Sequence, residues 1–273
     1  MRSVRDWIVH APIAALALGC VVRSAGAQSR PPPERAVTPT SASDTARKVT
    51  RAAVVALLAA ASEQQPAELA GLDLSGLDLS RVDFKRANLS DARLVRTNLS
   101  GAQMFGVTLN RAIAREADFS GAVLDIAVLR GTDLTGANLR DASLYAVVAL
   151  GANLTDADLS GARLIGVFVD ATLVRTKLVR THLGADPANQ PMGLMRTDLT
   201  GADLTGANFQ GADMRKVSLV RANLTAADLS DADLSGADVS DADVSATVFR
   251  SIRGREKIRG LDKARNVDKA IFQ

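Results

Sequence analysis

The sequence predicts an all-β solenoid, a chain wound in short sides around an apolar axis, and three observations lead to that class. A large apolar residue recurs at every fifth position from Leu69 onward, the residue two before it is usually alanine, and the positions between are mostly polar. Such centres fall at 69 to 164, at 168 to 183 and at 194 to 249; of these 36 positions 25 are Leu, 5 Phe, 2 Met and 2 Val, with only Ala114 and Ala149 small. Alanine fills 22 of the 36 positions two residues earlier.

Neither regular element carries a five-residue beat. In an α-helix five residues rotate about 500°, so successive leucines scatter around the cylinder. In a straight strand side chains alternate, and an odd step sends consecutive centres to opposite faces. The chain therefore turns once per pentad. Each side then points its centre and the preceding small residue inward, and stacked coils pair their backbones at about 4.8 Å.

The runs ANLSDARL, GANLRDASL, GANLTDADLSGARL and GADLTGANF resemble the A(D/N)Lxx signature of the pentapeptide repeat family over residues 66–250. The resemblance implies a right-handed quadrilateral β-helix with four pentads per coil, hence about nine coils and a rod of roughly 40 to 45 Å. Such solenoids are held by neighbour-to-neighbour contacts and need capped ends.

Departures from the beat locate the ends and a loop. Leu72, Leu77 and Val82 replace alanine in the first coil, the mark of a wider end beneath a cap. One residue is missing between Leu164 and Phe168, and the segment 184–193, with Pro187 and Pro191, reads as a loop leaving one corner because proline cannot donate to a ladder.

Before the repeats, residues 1–27 read as an export signal: a basic start, the apolar run WIVHAPIAALALGCVV and the small residues Ala25-Gly26-Ala27, with the mature chain starting at Gln28. That run is too short for a transmembrane span. The protein is thus expected to be exported, periplasmic or secreted. Leu18-Gly19-Cys20 supplies the alternative, processing to an outer-membrane lipoprotein with a lipid anchor at Cys20. Cleavage after Ala27 removes the single Cys, so the mature chain forms no disulfide. Residues 28–43 are a Pro/Ser/Thr-rich tether expected to be disordered. Residues 44–65 predict a capping helix, with Ser43 or Asp44 at its start and Val49, Ala53, Leu57 and Ala60 on the apolar side, stopped by Pro66. Residues 251–273 lose the five-residue beat but keep Ile258, Leu261, Val267 and Ile271, and read as a C-terminal cap.

Charge is uneven. Residues 66–249 carry 17 Lys and Arg against 23 Asp and Glu, whereas residues 250–273 carry 8 against 3. Asp228, Asp231, Asp233, Asp238, Asp241 and Asp243 crowd the last coils, either as outward residues beside each Leu or as a negative face for a cationic partner.

Catalysis finds no constellation. His182 has no nucleophile or metal-ligand spacing around it, the glycines fall at bends rather than in a phosphate loop, and the basic residues are not interleaved with aromatics as nucleic-acid binding requires. Neither a cofactor nor a metal is expected. Some outward positions are apolar instead: Val128, Val148 and Val167 stack in three successive coils, Leu150 and Val169 join them, and Phe105, Tyr145 and Ile165 line the adjacent face. A contiguous outward patch predicts contact with another protein, or self-association.

Two functions follow. One is a non-enzymatic exported scaffold that presents this patch to a protein partner. The other comes from the family resemblance, which implies members that imitate DNA with acidic surfaces and bind a topoisomerase such as DNA gyrase.

Overall fold

The computed structural model describes residues 49–62, 64–185 and 196–273. Within them each five-residue side pairs in parallel with the side one coil later. Glu68 pairs with Asn88, Asn88 with Thr108 and Thr108 with Val128 on one face; Asp78 pairs with Asn98 and Asn98 with Asp118 on another. A shift of 20 residues per rung at five residues per side gives four sides per coil. The N–H of each centre donates to the coil above, Leu69 to the Asn88 carbonyl at 2.8 Å, and the N–H of Asn88 returns to the Ala67 carbonyl at 2.9 Å. Most rungs are single bridges; among the described residues only β1 (Ser143–Val148) and β2 (Arg163–Val167) are continuous strands, paired in parallel.

Centres and alanines point inward as the beat requires. Leu74, Leu94, Leu154, Ala92, Ala112 and Ala152 are buried on one face, and each buried Leu contributes about 1.5 to 3 kcal/mol before entropy. Threonine also occupies the alanine slot. Thr97, Thr132, Thr176, Thr181 and Thr247 are fully buried, and each hydroxyl donates to the carbonyl of a centre in the preceding coil, Thr132 to Leu109 at 2.7 Å and Thr247 to Leu224 at 2.7 Å. The small centre Ala149 lies one rung below Phe168, its N–H bonded to the Val167 carbonyl, so a large centre follows the small one in the same stack.

The corner residue, two after nearly every centre, has positive φ. Gly71, Gly101 and Gly121 do this at 62° to 68°, but Asp91, Arg111, Glu116, Asp141 and Arg175 adopt the same left-handed conformation. The residue before each centre explains the Asp and Asn of the repeat. Asp73 Oδ1 accepts the N–H of Ser75, Asn98 that of Ser100, and Asp203 that of Thr205. This short turn satisfies a backbone donor near the corner.

Helix α1 (Arg51–Ala60) is shorter than the expected 44–65 and is capped by Thr50, whose hydroxyl accepts the Ala53 N–H; Ser43 and Asp44 lie outside the described residues. Its buried side chains are Val54 and Leu58, not Ala53 and Leu57, and Leu57 is 47% exposed. The i, i+4 pair Val54 and Leu58 packs in one cluster with Leu72 and Leu77, while Arg51 donates to the carbonyls of Asp78 and Ser80. That guanidinium clamp on two free acceptors sets the helix rotation.

Residues 252–272 do not abandon the ladder. They add a rung of six-residue sides, in which Arg253, Arg259, Arg265 and Ile271 pair with Asp233, Asp238, Asp243 and Val248. The corners are Gly254, Gly260 and Asn266, all at positive φ, and Phe272 stacks on Phe249 with ring centroids 5.1 Å apart. The sixth residue of each side is taken up by a 3-10 turn, as at Arg255–Lys257 and Val267–Lys269.

The two irregularities of the beat share one edge of the rod. The missing residue is a corner: Val147 pairs with Gly166 and Val148 with Val167, leaving Ala146, at φ 57°, without a counterpart. A Cβ on Gly166 would collide with the Val147 carbonyl. The insertion leaves from that edge one coil later, after Ala185, and the ladder resumes with Asp198 over Val167, a step of 31 residues. Among the described residues Leu199 is the next centre after Leu183; the expected centre Leu194 and most of loop 184–193 lie outside them, as do segments 1–27 and 28–43.

Leu139→Asp, which places an unpartnered carboxylate in the buried stack, is expected to cost more than about 3 kcal/mol, whereas Arg140→Ala at the neighbouring exposed ion pair with Asp158 costs under about 1 kcal/mol. Gly166→Ala is expected to cost about 1 to 3 kcal/mol because backbone must shift. Denaturant unfolding of the three variants checks the order.

Candidate functional site

The face that ends in the edge just described carries the outward column Lys85, Phe105, Asp125, Tyr145 and Ile165, one residue per coil, and Val128, Val148 and Val167 form the column on the next face. The structure thus brings the expected patch onto two adjoining faces. It also corrects its exposure. Phe105 is 51% exposed, but Val128, Tyr145, Val148, Leu150, Val167 and Val169 are half-buried, and Ile165 is only 3% exposed. With its corner residue missing, Ile165 sits in β2 against a shortened turn and shares a groove with Gly184 and Ala185. Stacking at ladder spacing covers much of each valine by its neighbours above and below. Tyr145 is covered by the Arg163 guanidinium, 4.1 Å from its ring centroid.

Ile126 was not among the expected residues. It occupies the corner of the third coil at φ 54° and is 38% exposed. A β-branched residue with positive φ is sterically disfavoured. The sequence signal was present: an isoleucine stands where the equivalent corner residues are Arg86, Gly106 and Ala146.

The crowded aspartates of the last coils have structural work. Asp228, Asp233, Asp238 and Asp243 accept the N–H of Ser230, Ser235, Ser240 and Ser245, and Asp231 and Asp241 are corners at positive φ. Arg253 lies 4.0 Å from Asp233 and Arg259 3.4 Å from Asp238, while Asn266 donates to Asp243 at 2.9 Å. The basic tail thus sets cations beside Asp233 and Asp238, and four of the six aspartates serve turns as outward residues beside each centre.

Further ion pairs join adjacent coils on the surface, Arg111 with Asp91 at 2.6 Å and Arg175 with Asp156 at 2.7 Å. Asp213 pairs with Arg215 at 2.7 Å on its own side, near the exposed His182. Burial opposes ionisation at Asp213, yet hydrogen bonds from the Arg215 guanidinium and backbone hold its carboxyl below the ordinary carboxylate range. At Asp238 burial is likewise outweighed by the Ser240 hydroxyl and N–H and by Arg259. The surface grooves are mixed in charge; one of about 580 Å³ is lined by Arg180, Gln210, Asp231 and Arg253 among others. Among the described residues no cluster of His, Cys, Asp or Glu could hold a metal ion, and no helix is long and apolar enough to cross a membrane.

This is a four-sided repeat solenoid whose polar groups mostly serve its own turns and whose departures from regularity gather on one edge. The chain belongs to the pentapeptide repeat family, whose repeat model matches residues 67–101, 102–141, 142–169, 194–231 and 217–250. Similar solved structures include HetL, a pentapeptide repeat protein involved in heterocyst differentiation regulation from the cyanobacterium Nostoc sp. strain PCC 7120. It is 28% identical over 82% of this chain and 99% of its own, with a TM-score of 0.32. They also include trypsin-treated QnrB1, a plasmid-mediated fluoroquinolone resistance protein, 19% identical over 67% of this chain and 82% of its own at a TM-score of 0.44. A third is Rfr23 from Cyanothece 51142, 19% identical over 76% and 91% at 0.23. No curated protein sequence matches the chain.

Because these folded-state carboxyls titrate below their unfolded values, they contribute stability that is present above about pH 4 and is lost as pH falls through the lower folded values. The melting temperature is expected to hold between about pH 8 and 5 and to fall below about pH 4. Asp213→Asn, followed by calorimetry across the same range, is expected to remove part of that fall.

Proposed function

We propose that the protein is a non-enzymatic, exported scaffold, a right-handed rod of nine pentad coils that presents one edge to another protein. The observation that carries this reading is the coincidence of exposed Phe105 and Ile126, the cut corner at Gly166 and the exit of the insertion on a single edge. Elsewhere many outward groups of the repeat are engaged in turns and inter-coil pairs, as at Asp73, Asn98 and Arg111. Membership in a family of repeat scaffolds supports the same reading. The basic start, apolar run and Ala25-Gly26-Ala27 support export with a mature start at Gln28, and Cys20 remains the position of a lipid in the alternative route. Imitation of DNA by the acidic coils has less support, since four of those six aspartates accept serine N–H groups and Asp233 and Asp238 lie beside tail arginines.

Two experiments test the reading. Amino-terminal sequencing of protein from its native host is expected to return Gln28; a retained Trp7 contradicts export. The triple variant Tyr145→Ser, Val148→Ser, Leu150→Ser is expected to keep the fold but to weaken capture of a cross-linked partner from the extracytoplasmic fraction, because central apolar contacts carry much of an interface's energy. Unchanged capture and unchanged sedimentation would remove this face from the account.

A further inference from the structure

We propose that the corner formed by Phe105 and Ile126, with Lys85 and Arg86 beside it, docks an acidic polypeptide segment bearing a bulky apolar side chain. The proposal rests on the scaffold reading and names the chemistry of its partner.

Phe105 and Ile126 are the exposed large apolar side chains of the pentad coils among the described residues; the others of that kind, Val55, Leu57 and Ile271, lie on α1 and in the last rung. Exposure of a phenylalanine and an isoleucine side by side is unfavourable in water. Ile126 carries a second cost. Its φ of 54° is one that glycine, aspartate and asparagine reach far more easily, and those residues serve at corners elsewhere in this rod. A strained, exposed, β-branched residue points to a role outside the fold.

Gly106 separates the two basic residues from Ile126. A Cβ there would come within 3.2 Å of Arg86 Nε and 3.5 Å of Ile126 Cδ1, so its absence lets the Arg86 and Ile126 side chains converge across the corner. Beside them Ala61, Ser62, Asp83, Lys85, Arg86 and Phe105 enclose a groove of about 440 Å³. Its chemistry is mixed, with an aromatic wall, the two cations Lys85 and Arg86 and the single carboxylate of Asp83. The neighbouring carboxylates are turned to the backbone: Asp83 accepts the Lys85 N–H, and Asp125 accepts the Ser143 hydroxyl and the Tyr145 N–H. Lys85 and Arg86 form no ion pair among the described residues. Anionic groups flanking an apolar side chain complement this arrangement. A polypeptide suits it, because the exposed apolar groups Phe105 and Ile126 and the cations Lys85 and Arg86 are spread over successive coils along the rod, about 4.8 Å per coil.

The test is selection of a random phage-displayed peptide library on the full chain, on Phe105→Ser/Ile126→Asn and on Lys85→Glu/Arg86→Glu, each shown by thermal melt to be folded. Peptides enriched on the parent are expected to carry Asp or Glu around Leu, Phe or Trp. A synthetic member should bind the apolar variant about tenfold more weakly or worse. The charge-reversed variant, which leaves the core untouched, should select Lys and Arg instead. Enriched peptides without an acidic bias, or binding equal on parent and both variants, would overturn the site while leaving the scaffold reading in place. No enrichment on the parent would count against both.

Discussion

One left-handed residue per five is the constraint on which the rest of the rod depends. A corner at positive φ turns the chain sharply enough for the centre and the residue two before it to face inward on every side, and only then do successive coils meet in parallel register. Glycine meets the demand without strain, yet Asp, Arg and Lys occupy many of the corners. At some of these corners the side chain also pairs across coils, as Arg111 does with Asp91 and Arg175 with Asp156. The Asp or Asn before the centre supports the same bend by holding the N–H of the residue after it. The A(D/N)L signature is thus an account of one side: a small residue where the interior is narrow, a side-chain acceptor for a stranded donor, and an apolar filling.

That logic made the architecture legible from the five-residue beat. Four features were not legible for distinct reasons. The face of α1 was misjudged by one residue because alanine-rich helices carry a weak amphipathic signal, and the rotation is set by Arg51 reaching the Asp78 and Ser80 carbonyls, a tertiary contact. The tail concealed a six-residue beat in Ile252, Ile258, Ala264 and Ala270, since one extra residue per side destroys a five-residue count while leaving the ladder intact. Ile165 was counted as outward by position, but a side that loses its corner loses the exposure that the position implies. Burial of Thr132 and Thr247 follows from a carbonyl in the preceding coil, which a local reading cannot see.

The surface is organised by the same ladder. Residues 20 apart are neighbours, so charges distant in sequence neutralise one another and an acidic stretch near a basic tail becomes a set of short contacts. The exception is the edge where a corner is missing, where the insertion departs and where Phe105 and Ile126 stand exposed. A regular solenoid has four similar edges. This rod has one that differs, and the difference spans several coils, which is the geometry a partner needs in order to read register as well as composition.

The most direct measurement of the account is disulfide cross-linking across the insertion, where the register is least obvious. In a Cys20→Ser background, His182→Cys with Asp213→Cys should form an intramolecular disulfide under mild oxidant, because the two are rung partners although 31 residues apart, and parallel neighbours lie about 4.8 Å apart. The pair His182→Cys with Asp203→Cys, nearer in sequence, sits on different faces and should remain reduced. Cross-linking of the second pair in preference to the first would contradict the four-sided ladder.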